Sequence, residues 1–253
     1  MKELRIPNPF GGRILHIEET SSTMDAARQQ VLSPSLSGGE SAGMHGTVIS
    51  TSLQTAGRGR LDGRSWFSPS GQSLMFTLIL SRSRIPVPVT SLSIRSALAL
   101  VAVLRYRFGL ESCIKWPNDV QIQGKKISGI LCESAGDDLF IGIGINCAQR
   151  EFPSSLKRPA TSLFLETGRR EPPLDMMEDL LSSLKRHFTE LPSEELPASA
   201  APELCGRGEL VSIFEGDPRR GKRVEGYVEG IGISGELQLR QINGKIKRIF
   251  SGE

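Results

Sequence analysis

A short segment that runs from Gln54 to Trp66 combines residue types that bind anions. Arg58, Arg60 and Arg64 alternate with glycines in it, and Trp66 follows them. Glycine lets a backbone bend closely around a ligand, and arginine presents a planar fork of donors that matches phosphate oxygens. The segment has neither a Walker-type ending nor the dinucleotide glycine spacing. It therefore predicts an anionic ligand with a flat ring, such as a nucleotide; a flexible loop that binds RNA loosely is the alternative.

A second segment, residues 115–131, places polar groups around a predicted strand pair. It contains Lys115-Trp116-Pro117-Asn118-Asp119, and Lys126 follows a turn at Gln123-Gly124-Lys125. An ammonium at the start of a strand can lie over a carboxylate or a phosphate. Adjacent strand residues face opposite sides, so Lys125 is expected to be solvated and Lys126 to face the ligand. A surface hairpin with solvated lysines is the alternative.

A third segment, Leu139 to Asn146, reads as a strand with glycine at alternate positions, Gly142 and Gly144. That arrangement leaves one face bare of side chains, which weakens a strand unless something approaches closely. A ligand that lies flat on the face would explain the pattern, and so would close packing of a helix.

Other parts of the chain predict the elements that position these segments. Ser22 with Asp25 fits a capping box at a strand-to-helix corner, where free N–H groups can meet a polar ligand head. Residues 33–46 read as a mobile loop and residues 190–202 as a connection. The other predicted elements are strands at 14–17, 47–52, 73–80, 113–116, 120–122 and 126–132, and helices at 92–104 and from Pro172 onward.

The pattern changes near residue 203, after which short alternating runs are separated by glycine turns. Four such runs, at 211–214, 223–231, 236–240 and 245–250, predict a small antiparallel barrel. We therefore predict an α+β fold: a mixed or antiparallel sheet domain over residues 1–202 and a small β-barrel domain over residues 203–253.

The composition is that of a soluble protein, with 253 residues, 38% of them hydrophobic, and a net charge of +3. This charge alone does not argue for nucleic acid. The basic cluster at Arg219, Arg220, Lys222 and Arg223 is interpreted as a solvated turn, with a patch that steers an acidic partner as the alternative. No signal peptide and no apolar run of membrane-spanning length is apparent, so a cytoplasmic location is expected.

The chain has four cysteines, Cys113, Cys132, Cys147 and Cys205, and none of them forms a Cys-x-x-Cys pair. The histidines lie far from them in sequence, so a zinc site is not expected. Three of the cysteines lie in or beside apolar runs, so reduced, partly buried thiols are the prediction.

Taken in order and at these separations, the segments resemble those of the biotin protein ligases. The resemblance covers Ser21 to Met24, the loop Gln54 to Trp66, the strand pair 115–131 and the strand 142–146, and it continues into the small terminal domain. The similarity implies the biotin/lipoate ligase type of catalytic domain with an SH3-like barrel. It also implies an enzyme that uses ATP, biotin and Mg²⁺ carried by the ATP phosphates, and modifies a biotin carboxyl carrier domain.

The resemblance also implies roles for individual residues. Catalysis would fall to Arg58, Arg60, Lys126 and, on the acceptor lysine, Asp119. The biotin site would comprise Ser22, Thr23, Met24, Gln54, Gly57, Arg58, Gly59, Arg60, Lys126, Gly129, Gly142 and Gly144. The ATP site would comprise Arg58, Arg60, Trp66, Asn118, Asp119, Lys126 and Asn146.

Two departures from the family pattern limit these expectations. The arginine loop carries Leu61-Asp62 before Gly63-Arg64, one residue more than the tightest form, which leaves the role of Arg64 open. Only 13 residues precede the first predicted strand at Ile14. This leaves no room for the DNA-binding domain of family members that act as repressors, so sequence-specific DNA binding is not expected.

Lipoate protein ligase is the alternative enzyme, and an RNA-binding protein without catalysis is a further one; at 6% aromatic residues the chain has few rings on which bases could stack. A homodimer through an exposed sheet edge is slightly favoured over a monomer.

Overall fold

The computed structural model of the chain describes residues 1–32, 41–60, 63, 65–156, 158–216 and 221–252. Its strands are β1 (Lys2–Leu4), β2 (Ile14–Thr20), β3 (Val48–Gln54), β4 (Ser73–Ser81), β5 (Cys113–Lys115), β6 (Asp119–Ile122), β7 (Lys125–Ala135), β8 (Asp138–Asn146), β9 (Leu210–Glu215), β10 (Lys222–Ile231), β11 (Leu237–Arg240) and β12 (Ile246–Ile249). Its α-helices are α1 (Thr23–Leu32), α2 (Leu92–Phe108), α3 (Leu163–Thr167), α4 (Met177–Thr189) and α5 (Leu196–Ala200). Of the predicted loop 33–46, residues 33–40 lie outside the described part, and Ser41–Met44 forms a short 3-10 helix.

Eight strands form one sheet in the order β1-β2-β3-β4-β8-β7-β6-β5. Strands β2 and β3 are parallel and the other neighbours are antiparallel, so the sheet is mixed. The prediction of an α+β fold is confirmed. Strand β1 was not predicted; it precedes Ile14 and pairs with the start of β2.

Successive side chains along each strand point to opposite faces of this sheet, and helices cover both faces. Residues such as Ile141 on β8 belong to the core beneath α2 and α4, whereas Phe140 packs with α1 on the opposite face. Gly142 and Gly144 have the same parity as Phe140 and therefore lie on the α1 face. The sheet thus separates a large apolar core from the face that carries the candidate site.

Helix α2 is the central helix of that core. The helical segment Val89–Phe108 has the length and apolar composition of a membrane span, but 67% of the apolar stretch is buried inside the fold, as expected of a core helix. Arg95 lies fully buried within it, and its guanidinium donates to the carbonyls of His187 and Leu191 at 2.7 Å each. These bonds satisfy a cation that would otherwise be costly to bury.

The predicted connection at residues 190–202 is ordered rather than loop-like. It contains two 3-10 turns and α5, whose Leu196 and Ala200 are fully buried. The segment was predicted as a connection, and its helical turns were not predicted; two apolar side chains one helical turn apart give even a short Pro-rich segment a packed face.

The C-terminal strands form an antiparallel sheet in the order β12-β11-β10-β9. The chain then continues past β12, so that Gly252 bridges Glu215 of β9 and the Gly216 N–H donates to the Ser251 carbonyl at 2.9 Å. These contacts curve the sheet back toward its first strand. The boundary at residues 202–203 stays a prediction.

The structure corrects the prediction of reduced thiols for two of the cysteines. Cys113, at the start of β5, forms a disulfide with Cys205, 92 residues further along the chain. The two are brought together because Leu204 bridges Ile114 as a strand neighbour and the Cys205 N–H donates to the Ile114 carbonyl at 3.0 Å. Cys132 and Cys147 remain free, and burial raises the pKa of each thiol to about 12.

Candidate functional site

A cavity of about 540 Å³ opens on the α1 face of the large sheet. Its walls come from the start of α1, the arginine loop, the Lys115–Asp119 segment, the glycine strands and the C-terminal unit. The predicted site residues that line it are Thr23, Met24, Gln54, Arg58, Gly59, Arg60, Trp66, Asn118, Asp119, Lys126, Gly129, Gly142 and Gly144. One cavity therefore brings together most residues of three segments that are distant in sequence.

The bare glycine face is covered mainly by Trp66. A Cβ built on Gly144 would lie 2.7 Å from the indole, and one built on Gly129 would lie 3.1 Å from it. Gly142 is covered instead by Met24 of α1, whose sulfur would lie 3.0 Å from an added Cβ. Packing of helix α1 thus explains why residue 142 is a glycine, whereas the cover of the Trp66 indole explains the glycines at 144 and 129. The indole N–H of Trp66 is buried and has no hydrogen-bond partner among the described residues, so it can donate to a ligand.

The corner before α1 fixes the orientation of Gln54. The Thr23 N–H and hydroxyl donate to the Gln54 side-chain oxygen at 2.8 and 3.2 Å, and the Thr77 hydroxyl donates to that of Thr23 at 2.9 Å. The amide nitrogen of Gln54 is left facing the thioether of Met75 at 3.5 Å. Sulfur is a weak acceptor, so this amide can donate to a stronger acceptor in the cavity.

The predicted capping box at this corner is only half present. The Ser22 hydroxyl accepts from the Met24 N–H at 3.2 Å, as a helix cap does. The Asp25 carboxylate turns away and accepts from Arg58 at 2.6 Å. The box was wrong in that half, because a guanidinium from the loop competes for the carboxylate. Ser22 does not line the cavity.

Lys126 and Asp119 form an ion pair inside the cavity. The Lys126 ammonium donates to Asp119 Oδ1 at 2.6 Å and lies 5.7 Å from the centre of the Trp66 ring. The side chain of Asp119 is 10% exposed and that of Lys126 is 29% exposed. Asn118 lines the same wall, but its amide donates to the Ile130 carbonyl at 2.8 Å and braces β7.

The two described arginines of the loop also have internal acceptors. Arg58 pairs with Asp25, and Arg60 donates to the Gly252 carbonyl of the C-terminal unit at 2.7 Å. Both side chains still line the cavity. The predicted positions Leu61, Asp62 and Arg64 lie outside the described residues, as do Arg219 and Arg220 of the basic cluster.

Asn146 and Gly57 are predicted site residues that do not line the cavity. The Asn146 amide donates to the Thr161 carbonyl at 2.9 Å, and its oxygen accepts from Gln149 at 3.3 Å. Asn146 therefore anchors the segment after β8 in this structure. Gly57 is close to Gln54 and Trp66.

Sequence reasoning missed several residues that line the cavity. Met75 was detectable in principle, because it pairs in register with Gly144 on the same face. Arg158 and the residues of the C-terminal unit, among them Glu209 and Ser212, carry no local signal. The positions of Glu209 and Ser212 depend on how the small unit docks, which no short segment encodes.

The described residues include no group of three or more His, Cys, Asp or Glu side chains arranged to hold a metal ion. The carboxylates that line the cavity are Asp119 and Glu209, and Asp119 is already paired with Lys126. This donor set does not fit a Mg²⁺ ion held by protein ligands alone, so no step below is assigned to such an ion.

Comparison with known proteins places the chain in a family. A profile of the Biotin/lipoate A/B protein ligase family matches residues 19–148. The chain is 33% identical over 201 residues to the biotin–[acetyl-CoA-carboxylase] ligase of Paracoccus denitrificans, covering 74% of this chain and 81% of that protein. It is 32% identical over 219 residues to the bifunctional ligase/repressor BirA of Bacillus subtilis, covering 82% of this chain.

The chain spans 65% of the length of that Bacillus relative. Among solved structures, a biotin protein ligase from Aquifex aeolicus in complex with biotin and ATP superposes with a TM-score of 0.80 at 29% identity. That match covers 96% of this chain and 97% of the other, so the fold agrees in both the large and the small sheet. The chain belongs to the biotin/lipoate A/B protein ligase family.

Proposed function

We propose that this protein is an ATP-dependent biotin protein ligase. It forms biotinyl-5′-adenylate from biotin and ATP, and then transfers biotin to a lysine of a biotin carboxyl carrier domain. The observation that carries the proposal is the convergence of Arg58, Arg60 and Lys126 on one cavity that also includes the glycine face. The relatives named as biotin ligases support the choice of substrate.

In the first step an oxygen of the biotin carboxylate bonds to the α-phosphorus of ATP, and the bond from that phosphorus to the pyrophosphate oxygen breaks. Two anions must approach each other, so fixed positive charge lowers the barrier. Arg58, Arg60 and Lys126 supply that charge. In this structure they donate to Asp25, the Gly252 carbonyl and Asp119, and the incoming carboxylate and phosphate take over as acceptors.

The ring system of biotin has a matching set of contacts. The free amide nitrogen of Gln54 donates to a carbonyl oxygen, while Met24 and Met75 provide polarisable apolar surface on the same side of the cavity. Trp66 covers the glycine face in this structure. It moves outward to sandwich the ligand between its indole and the backbone of β7 and β8, which shelters the adenylate from water.

In the second step the acceptor amine bonds to the acyl carbon, and AMP leaves with the phosphate oxygen. The ammonium must first lose a proton. Asp119 is the candidate to orient or deprotonate it, because the first step draws Lys126 toward the phosphate and frees a carboxylate beside the acyl group.

Mg²⁺ would be carried by the phosphates of ATP as part of that substrate, and it would neutralise charge on the leaving pyrophosphate. Because the reaction consumes ATP and modifies a carboxylase subunit, the proposal includes a cytoplasmic location.

The test is to incubate the protein with labelled biotin, MgATP and an isolated biotin carboxyl carrier domain. We expect label on the acceptor domain only when ATP is present, and none on a domain whose acceptor lysine is replaced by arginine. Lipoate ligase activity is the competing outcome, and lipoate in place of biotin tests it directly. Labelling by lipoate with none by biotin would overturn the proposal.

A further inference from the structure

Glu209 is a carboxylate of the cavity that the scheme above leaves unused. It lies on the wall that the C-terminal unit contributes. Within the described part of the chain its side chain forms no ion pair or hydrogen bond, whereas the other cavity carboxylate, Asp119, is bonded to Lys126 at 2.6 Å. Glu209 is therefore available to bind a cation.

The backbone of Glu209 is held in place on both sides. Its N–H donates to the Gly206 carbonyl at 2.9 Å, and its carbonyl accepts from the Val228 N–H of β10 at 3.0 Å. The turn that carries it begins at Cys205, which is disulfide-bonded to Cys113 of β5. These restraints fix the backbone of Glu209 beside the cavity, so that only its side chain must be ordered when a ligand binds.

The disulfide also connects Glu209 to the catalytic wall. Strand β5 pairs with β6 so that Lys115 lies opposite Asp119. A short path of covalent and backbone hydrogen bonds thus runs from Asp119 through β5 to the turn that carries Glu209. The two carboxylates belong to neighbouring walls of one cavity rather than to independent surfaces.

The positive charge of the cavity lining suggests a role for the carboxylate of Glu209. Its lining includes five cationic side chains, which are Arg58, Arg60, Lys115, Lys126 and Arg158. Such a lining attracts biotin and ATP but repels a lysine ammonium. An acceptor lysine therefore needs an anionic group along its approach to the adenylate.

We infer that Glu209 binds the ammonium of the acceptor lysine as that lysine enters the cavity. This inference rests on the proposed function and concerns its second step. Glu209 holds the lysine by charge before the proton is lost, and proton removal stays with Asp119.

The test separates the two half-reactions in Glu209→Gln. Adenylate formation is followed by biotin-dependent ATP–pyrophosphate exchange, and transfer by the rate at which preformed adenylate labels the carrier domain. We expect exchange and the KM for ATP to be unchanged, and kcat/KM for the carrier domain to fall about fivefold, the size expected for one exposed charge pair. The loss should shrink as salt rises toward ~1 M, where the Debye length is about 3 Å.

Two controls make the result specific. Hydroxylamine, an uncharged nucleophile, should react with the adenylate equally fast in wild type and Glu209→Gln. Glu225→Gln removes an exposed carboxylate of the same unit that pairs with Arg223 at 2.8 Å and does not line this cavity, and it should transfer at the wild-type rate. Glu209→Lys should lower transfer further than Glu209→Gln.

Equal transfer by wild type and Glu209→Gln would overturn the inference. A raised KM for ATP in Glu209→Gln would also overturn it, because the carboxylate would then serve the nucleotide. Absence of exchange in the wild type would instead refute the proposed function itself.

Discussion

Replacing Lys126 by alanine tests the charge argument most sharply. Its ammonium is bonded to Asp119 at 2.6 Å and lies beside Trp66 over the glycine face. In the proposed first step the same ammonium stabilises charge on the reacting phosphate. Loss of one such donor lowers the rate by about 10²–10³-fold, and we expect that loss in adenylate formation.

The substitution also affects stability, and the structure gives the size. Removing one partner of a fully buried ion pair costs about 3–5 kcal/mol. The Lys126 side chain is 29% exposed, so water screens the pair partly, and we expect about 1–3 kcal/mol once that screening discounts the buried-pair figure. The cost arises because Asp119, 10% exposed, is left as an unpaired carboxylate.

A double variant separates the two effects. Asp119→Asn combined with Lys126→Ala removes the unpaired charge, so urea unfolding should recover most of the lost stability. Biotin-dependent ATP–pyrophosphate exchange should stay as low as in Lys126→Ala. ATP–pyrophosphate exchange at the wild-type rate in Lys126→Ala would refute the role of Lys126 in adenylate formation. Recovery of this exchange together with stability in the double variant would refute it as well.

Three further predictions follow from other contacts. Arg60→Ala should speed release of the adenylate, since Arg60 is proposed to donate to its phosphate; an unchanged release rate in a filter-binding assay would count against that contact. Replacing both Cys113 and Cys205 by serine opens a 92-residue crosslink and should lower stability by about 2–5 kcal/mol, seen as a lower melting temperature that added reductant no longer changes. Burial lowers the pKa of His187 below 6.5, so the folded state binds its proton less tightly than the unfolded state. The contribution of neutral His187 to the free energy of unfolding is therefore fully present above pH 6.5 and is lost as the pH falls below that value. The urea concentration at the unfolding midpoint should drop between about pH 7 and 5. The variant His187→Gln should show a smaller drop over the same range.

Local patterns were sufficient to predict most elements of the fold. A nearly continuous apolar run predicted β4, an apolar run with glycine at alternate positions predicted β8, and a further apolar stretch predicted α2, because consecutive residues of a buried strand or helix are themselves apolar. The glycines of β8 predicted a bare face, and the structure has one. Three separated segments also predicted residues that share a cavity, because the family resemblance supplied their spatial relation.

Contacts between distant residues were not predictable in the same way. The Cys113–Cys205 disulfide depends on Leu204 running beside β5, which neither cysteine's neighbours indicate. The Asp25–Arg58 pair replaced half of a capping box because the arginine comes from a loop 33 residues away. Glu209 reaches the cavity only because the small unit docks there.

In the proposed mechanism the arginine loop and Lys126 gather two acids in a single sheltered pocket. A crystal structure of the protein with a non-hydrolysable biotinyl-adenylate analogue measures this directly. We expect Arg58, Arg60 and Lys126 all to donate to the analogue's phosphate or acyl linkage, with Trp66 stacked over it on the glycine face. An analogue bound elsewhere, or one bound here while the three cations keep their bonds to Asp25, Gly252 and Asp119, would contradict this mechanism.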